Sequence, residues 1–162
     1  LLLFVGMVLF SCVVVANLVF RGVPSGPPPL PSSLGDRRLG HEATGIEARL
    51  LVNNLHGRGV TPEENVVCFY VGQHAGATLY LSVFPDAAGA ADVAQGMQRK
   101  IRTGDPVFRD LNEIVVDGVS LARCRGMGQA HFFFAQRNRL FWLAVDTLVA
   151  QNAVRGLIAG IH

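Results

Sequence analysis

The first twenty residues, Leu1 to Phe20 (LLLFVGMVLFSCVVVANLVF), hold no charged side chain, and Asn17 is their only strongly polar one. At about 1.5 Å rise per residue, such a stretch makes roughly 30 Å of helix, the thickness of a bilayer's hydrocarbon core. A helix pairs its own backbone polar groups, as lipid demands, whereas a core helix of this length normally keeps a polar face. The expectation is a membrane-crossing anchor that includes Leu1, Phe4, Val8, Phe10, Val15, Leu18 and Phe20. A cleaved signal has a shorter apolar region, about 7–15 residues, closed by a small-x-small site. No such site follows here, and Cys12 reads as a buried thiol within the helix. Because the chain starts at Leu1 rather than Met, a short leader is expected upstream.

Gly22 to Gly35 carries five prolines, a composition that favours an extended spacer without internal hydrogen bonds. The expected division is an anchor over 1–20, a spacer over 21–38 and a folded domain over 39–162. Arg21, Arg37 and Arg38 follow the anchor, and positive-inside bookkeeping alone would place the domain in the cytoplasm. The long Pro/Ser/Gly spacer suits the opposite side. The preferred expectation is a single-pass inner-membrane protein with a periplasmic domain.

Within the domain the hydrophobic pattern alternates between helix and strand. Ile46, Leu50, Leu51, Val52 and Leu55 form a stripe that predicts a helix over 42–56, stopped at Gly57. Asn65–Val71 and Ala77–Phe84 read as a hairpin, the second with Leu79, Leu81 and Val83 alternating against Thr78, Tyr80 and Ser82. Pro85-Asp86 opens a second helix, to about Arg102, with Ala90, Val93, Ala94, Met97 and Ile101 on one side. Asp117-Gly118 between β-branched runs is the signature of a two-residue turn. His131–Ala135 and Leu140–Val145 read as a further hairpin, and Asp146 or Thr147 caps a last helix. Strands joined by short turns are antiparallel. The expected fold is therefore α+β: an N-terminal transmembrane helix, a Pro-rich linker, then an antiparallel sheet with helices packed on one face. The run Phe132-Phe133-Phe134 puts rings on both faces of one strand, and the face away from the helices would need cover from a partner protein or the membrane surface.

The chemistry-bearing residues form no catalytic pattern. His41, His56, His74, His131 and His162 show neither HExxH nor H-x3-H spacing. Met127 and His131 lie four apart, but the glycines around Met127 favour a plain loop and strand. Ser82 and Ser120 lack a nucleophile elbow. Asp86, Asp92, Asp105, Asp110, Glu113 and Asp117 fall in turns and caps, and Arg123, Arg125, Arg137 and Arg139 read as a solvated rim, the alternative being a contact with lipid headgroups or an acidic partner. Cys68 and Cys124 either form one disulfide or stay as two buried thiols. Fourteen basic against twelve acidic residues leave a formal charge of +2, without the concentrated basic face of a nucleic-acid binder.

Val66 to Phe84, with Leu79-Tyr80-Leu81-Ser82-Val83, and Leu140 to Ile161, with Trp142 and Val145-Asp146 ahead of a helix, resemble the extracytoplasmic part of membrane-anchored anti-sigma-factor-type regulators. The resemblance implies a sensor or docking module. The chain departs from that family in showing no sigma-binding segment with His/Cys ligands. From the residues themselves, the expectation is a non-catalytic, single-pass membrane protein without cofactor, metal or small-molecule substrate. Its domain would dock on membrane protein subunits beside the lipid bilayer, as an accessory subunit of a larger, energy-transducing complex. The expected contact residues are Phe132, Phe133, Phe134, Arg137, Arg139 and Trp142. The alternative is a signalling regulator of the anti-sigma type.

Overall fold

Three two-residue turns draw the second half of the chain into a meander. The closing pairs are Val116 with Val119, Gly126 with Gln129, and Gln136 with Arg139. Asp117 and Gly118 have φ of 48° and 84°, and Met127 and Gly128 have 51° and 77°. Two successive left-handed residues make a type I′ turn, whose twist matches that of the strands it joins. The computed structural model describes residues 29–56, 62–73 and 75–161, without the side chains of Leu55 and His56.

Eight strands form one curled antiparallel sheet. They are β1 (Ser33–Leu34), β2 (Arg37–Thr44), β3 (Glu64–Val71), β4 (Ala77–Val83), β5 (Arg109–Val116), β6 (Val119–Gly126), β7 (Gln129–Gln136) and β8 (Arg139–Val145). Helix α1 (Gly45–His56) follows β2, α2 (Ala87–Gly104) follows β4, and a 3-10 turn at Thr147–Val149 leads into α3 (Ala150–Gly160). The spatial order is β1-β2-β3-β4-β8-β7-β6-β5. The chain leaves the centre at β4, crosses through α2, lays β5 along the far edge and returns strand by strand to β8.

The helices cover both faces. One face carries Val67, Tyr80, Trp142, Phe133 and Ala122 in a single cross-strand row. It packs under Ala48 and Val52 of α1 and Ile101 of α2. Residues one step along the strands point the other way. There Cys68, Leu79, Leu143 and Phe132 meet Ala153, Val154, Leu157 and Ile158 of α3.

This corrects the expected fold in two respects. The helices do not share one face, so both sides of the Phe132–Phe134 strand are covered by the chain's own helices. Among the described residues no helix is long and apolar enough to cross a membrane. The anchor residues Leu1, Phe4, Val8, Phe10, Val15, Leu18 and Phe20, together with Cys12, lie outside the described residues.

The segment assigned to the end of the spacer belongs to the fold. Leu34 is fully buried, and Tyr70 Oη donates to the Pro31 carbonyl at 2.8 Å. α3 approaches this segment through glycines. A Cβ on Gly156 would stand 2.6 Å from the Gly35 nitrogen, and one on Gly160 would stand 2.5 Å from Pro31 Cγ.

Candidate functional site

Two cross-strand rows on the α3 face change character as they approach the β5 edge. One runs Tyr70, Ala77, Val145, Ala130, then Arg125 and Arg109. The next runs Cys68, Leu79, Leu143, Phe132, then Arg123 and Asn112. The first four members of each row are buried, apolar or aromatic side chains. The alternation of β6 places Leu121, Arg123 and Arg125 on this face, and Ala122 and Cys124 on the other. Arg109 joins the group through a register shift between Arg109 and Asn112, where Asp110 takes φ 58°. The bulge returns the β5 side chain to the arginine side.

Three adjoining clefts follow these arginines. One of about 440 Å³ lies among Val107, Arg109, Arg125, the 126–128 turn, Gln129 and Thr147. It shares Arg125 with a cleft of about 270 Å³ that also includes Asp110, Asn112 and Arg123. That one shares Arg123 with a third, of about 320 Å³, between α3 and the hairpin, where Ile114, Val116, Phe132 and Val154 give an apolar floor. Thr147 closes the circuit between the first and third. These three adjoining clefts, apolar under α3 and cationic beyond it, together make up the groove.

None of Arg109, Arg123 and Arg125 is in an ion pair among the described residues. Among the described residues the ion pairs are Arg37–Asp36, His41–Glu47, Lys100–Asp105 and Arg102–Glu113. Asp110 is the single acid lining the clefts, and it forms none of these pairs. Exposed apolar side chains stand nearby: Val107 and Met127 on the groove wall and Leu148 in the 3-10 turn.

The buried reactive groups are, by contrast, satisfied. His131 is 1 % exposed, with Nε2 2.9 Å from the Gly126 carbonyl and Nδ1 3.0 Å from the Trp142 indole nitrogen. Burial pulls its pKa below the usual imidazole range, against the opposing pull of the Gly126 carbonyl. Phe108 closes the cage edge-on at 5.0 Å. A side chain at position 126 would collide with Phe108, so glycine is required there.

Cys68 and Cys124 are free and lie on opposite faces of the sheet. No disulfide joins them, which corrects that alternative. Burial, with Glu42 nearby, pushes the Cys68 thiol up to about 11, and burial pushes Cys124 up to about 12. Both stay protonated and unreactive. Among the described residues no group of three or more His, Cys, Asp or Glu is placed to hold a metal.

The expected contact residues are dispersed. Phe132, Phe133, Phe134 and Trp142 are at most 5 % exposed. Phe133 stacks on Trp142 at 4.7 Å, and Phe134 stacks on Phe141 at 5.1 Å. These four are core, and the outer ring face thought to need a partner does not exist. Arg137 lies in the β7–β8 turn and Arg139 opens β8, at the opposite end of β7 from the 126–128 turn. The four arginines grouped along the sequence are therefore split into two pairs. His41 is exposed and stacks on Phe69, while His74 and His162 lie outside the described residues. Arg109 escaped the sequence reading because only the bulge brings it to Arg125. The alternation Arg123-x-Arg125 around buried Ala122 and Cys124 was the available signal.

No family model, curated protein or solved structure matches the chain. The likeness to anti-sigma-type regulators thus rests on the quoted residues alone.

Proposed function

We propose that the protein works by contact rather than catalysis, as a docking module for partner proteins and an accessory subunit of a larger membrane complex. The observation that carries this reading is the contrast between its polar groups. His131 and both cysteines are sealed in the core, neutral and without access to a substrate. Arg109, Arg123 and Arg125 line an open groove where, among the described residues, none of them is ion-paired and Asp110 is the one acid. A chemical site needs titratable groups aimed into a pocket, whereas an uncompensated cationic groove with an apolar floor has the makings of an interface. Membrane association is part of the proposal and rests on the sequence of the uncharged residues 1–20.

The test is purification of the full chain from its native membranes in mild detergent, with mass spectrometry of co-purifying chains. Stoichiometric recovery with one complex is the expected result. Recovery of the chain alone, or from the soluble fraction, would overturn the proposal.

A further inference from the structure

Resting on that reading, we infer that the occupant of the groove is an extended acidic segment of a partner protein, added as a ninth strand along β5.

The first observation is the edge itself. β5 pairs with β6 on one side and with nothing on the other among the described residues. Val116 and Val119 close a two-residue hairpin, so they form a hydrogen-bonded pair, and hydrogen-bonded pairs alternate along the ladder. Asn112 and Ile114 then direct their backbone groups at β6. The N–H and C=O groups of Glu113 and Val115 point outward. Arg109, Asp110, Glu113 and the bulge after Arg109 blunt the first part of this edge, whereas Val115, 68 % exposed, leaves its last part open.

The second observation is charge. A strand laid against β5 extends both cross-strand rows by one residue. Its side chains on the α3 face would stand beside Asn112 and Arg109, with Arg123 and Arg125 one strand further in. Strands lie about 4.8 Å apart, a distance that the long arginine side chains bridge. Three guanidiniums against one carboxylate, Asp110, leave the clefts net cationic and make acidic residues at alternate positions the complementary partner. Further along the same face, past Asn112, Ile114 and Val116 offer an apolar neighbour.

The experiment titrates the full chain in detergent with a seven-residue capped peptide alternating glutamate and valine. Its controls are the same peptide with lysine for glutamate, and the acidic peptide N-methylated at alternate backbone amides. The acidic peptide is expected to bind, weaken as salt rises, and lose about fivefold for each of R109E, R123E and R125E. N-methylation and Val115→Pro remove the outward hydrogen bonds and are each expected to abolish binding, while the ladder to β6 stays intact. Equal binding of the lysine peptide would overturn the charge assignment, and equal binding of the N-methylated peptide would overturn strand addition. Capture by vesicles containing anionic lipid, or β5-mediated self-association by light scattering, in place of peptide binding would also overturn it. Partners that co-purify but cross-link away from β5 would sink this inference and leave the docking function standing.

Discussion

The Trp142 indole N–H donates to Nδ1 of His131 across 3.0 Å, so the imidazole must carry its proton on Nε2, where the Gly126 carbonyl accepts it at 2.9 Å. Two strands and a turn are thereby locked to one tautomer. Protonating Nδ1 would set two N–H donors against each other.

Stability should therefore fall as the solution is acidified. The unfolded ring titrates near 6.5, and the buried ring is held below that value. Between the two, the unfolded chain binds a proton that the folded chain excludes, so the folded state loses ground as pH drops. Stability from this ring is complete above about pH 6.5 and declines by up to about 1.4 kcal/mol per pH unit beneath it. Urea midpoints at pH 7.5, 6.5 and 5.5 should decline for the wild type and decline less steeply for His131→Gln. Parallel lines would show that the ring is not held neutral.

Two glycines in helices should respond to alanine with opposite signs. Alanine in an exposed helix interior is worth about 1 kcal/mol over glycine, and Gly96 of α2 has its nearest neighbour, an Arg99 nitrogen, 3.8 Å from an added Cβ. Gly96→Ala should raise the melting temperature. Gly156→Ala faces the Gly35 nitrogen at 2.6 Å and Leu34 at 3.1 Å. That contact is with backbone, which cannot swing aside, so the substitution should destabilise by about 1–3 kcal/mol. Thermal melts of both variants settle the pair.

Neither Cys68 nor Cys124 should react while the protein is folded. Cys68 and Cys124 are both 0 % exposed and unpaired. A thiol reagent added to native protein should leave them unmodified, and both should titrate in denaturant. A reductant should leave the melting temperature unchanged. A drop on reduction would mean that the pair is bridged.

Local features were legible in the sequence, and layer-level features were not. Asp117-Gly118 announces its turn because both left-handed positions are chemically specified by adjacent residues. The α2 stripe is legible because Ala90, Ala94 and Ile101, which it buries, are spaced for one helix. β2 is not: RRLGHEAT is polar, interrupted by Gly40 and shifted in register between Leu39 and His41. Its last residues merge with the α1 stripe, and the break is the left-handed Gly45 at φ 59°. The Phe132–Phe134 run correctly announces two-sided burial. Which body supplies each side depends on α2 and α3, tens of residues away on opposite faces, and no local period encodes that.

Phe133 is the sharpest test of that assignment. Its ring is fully buried, stacked on Trp142 and grouped with Ile101 and Phe108. Truncation to alanine removes a core ring and should cost about 3–5 kcal/mol. Phe133→Asp puts a carboxylate in the same buried place and should abolish the folded state. Had the ring faced a partner, the aspartate variant would stay folded and merely lose that partner. Arg137→Glu is the matched surface control. Arg137 is exposed in a turn and forms no ion pair among the described residues, so the stability should change by less than about 0.5 kcal/mol. Circular dichroism of the three variants decides it: a cooperative, native-like melt for Phe133→Asp would return the ring to the surface and undo the two-faced packing described above.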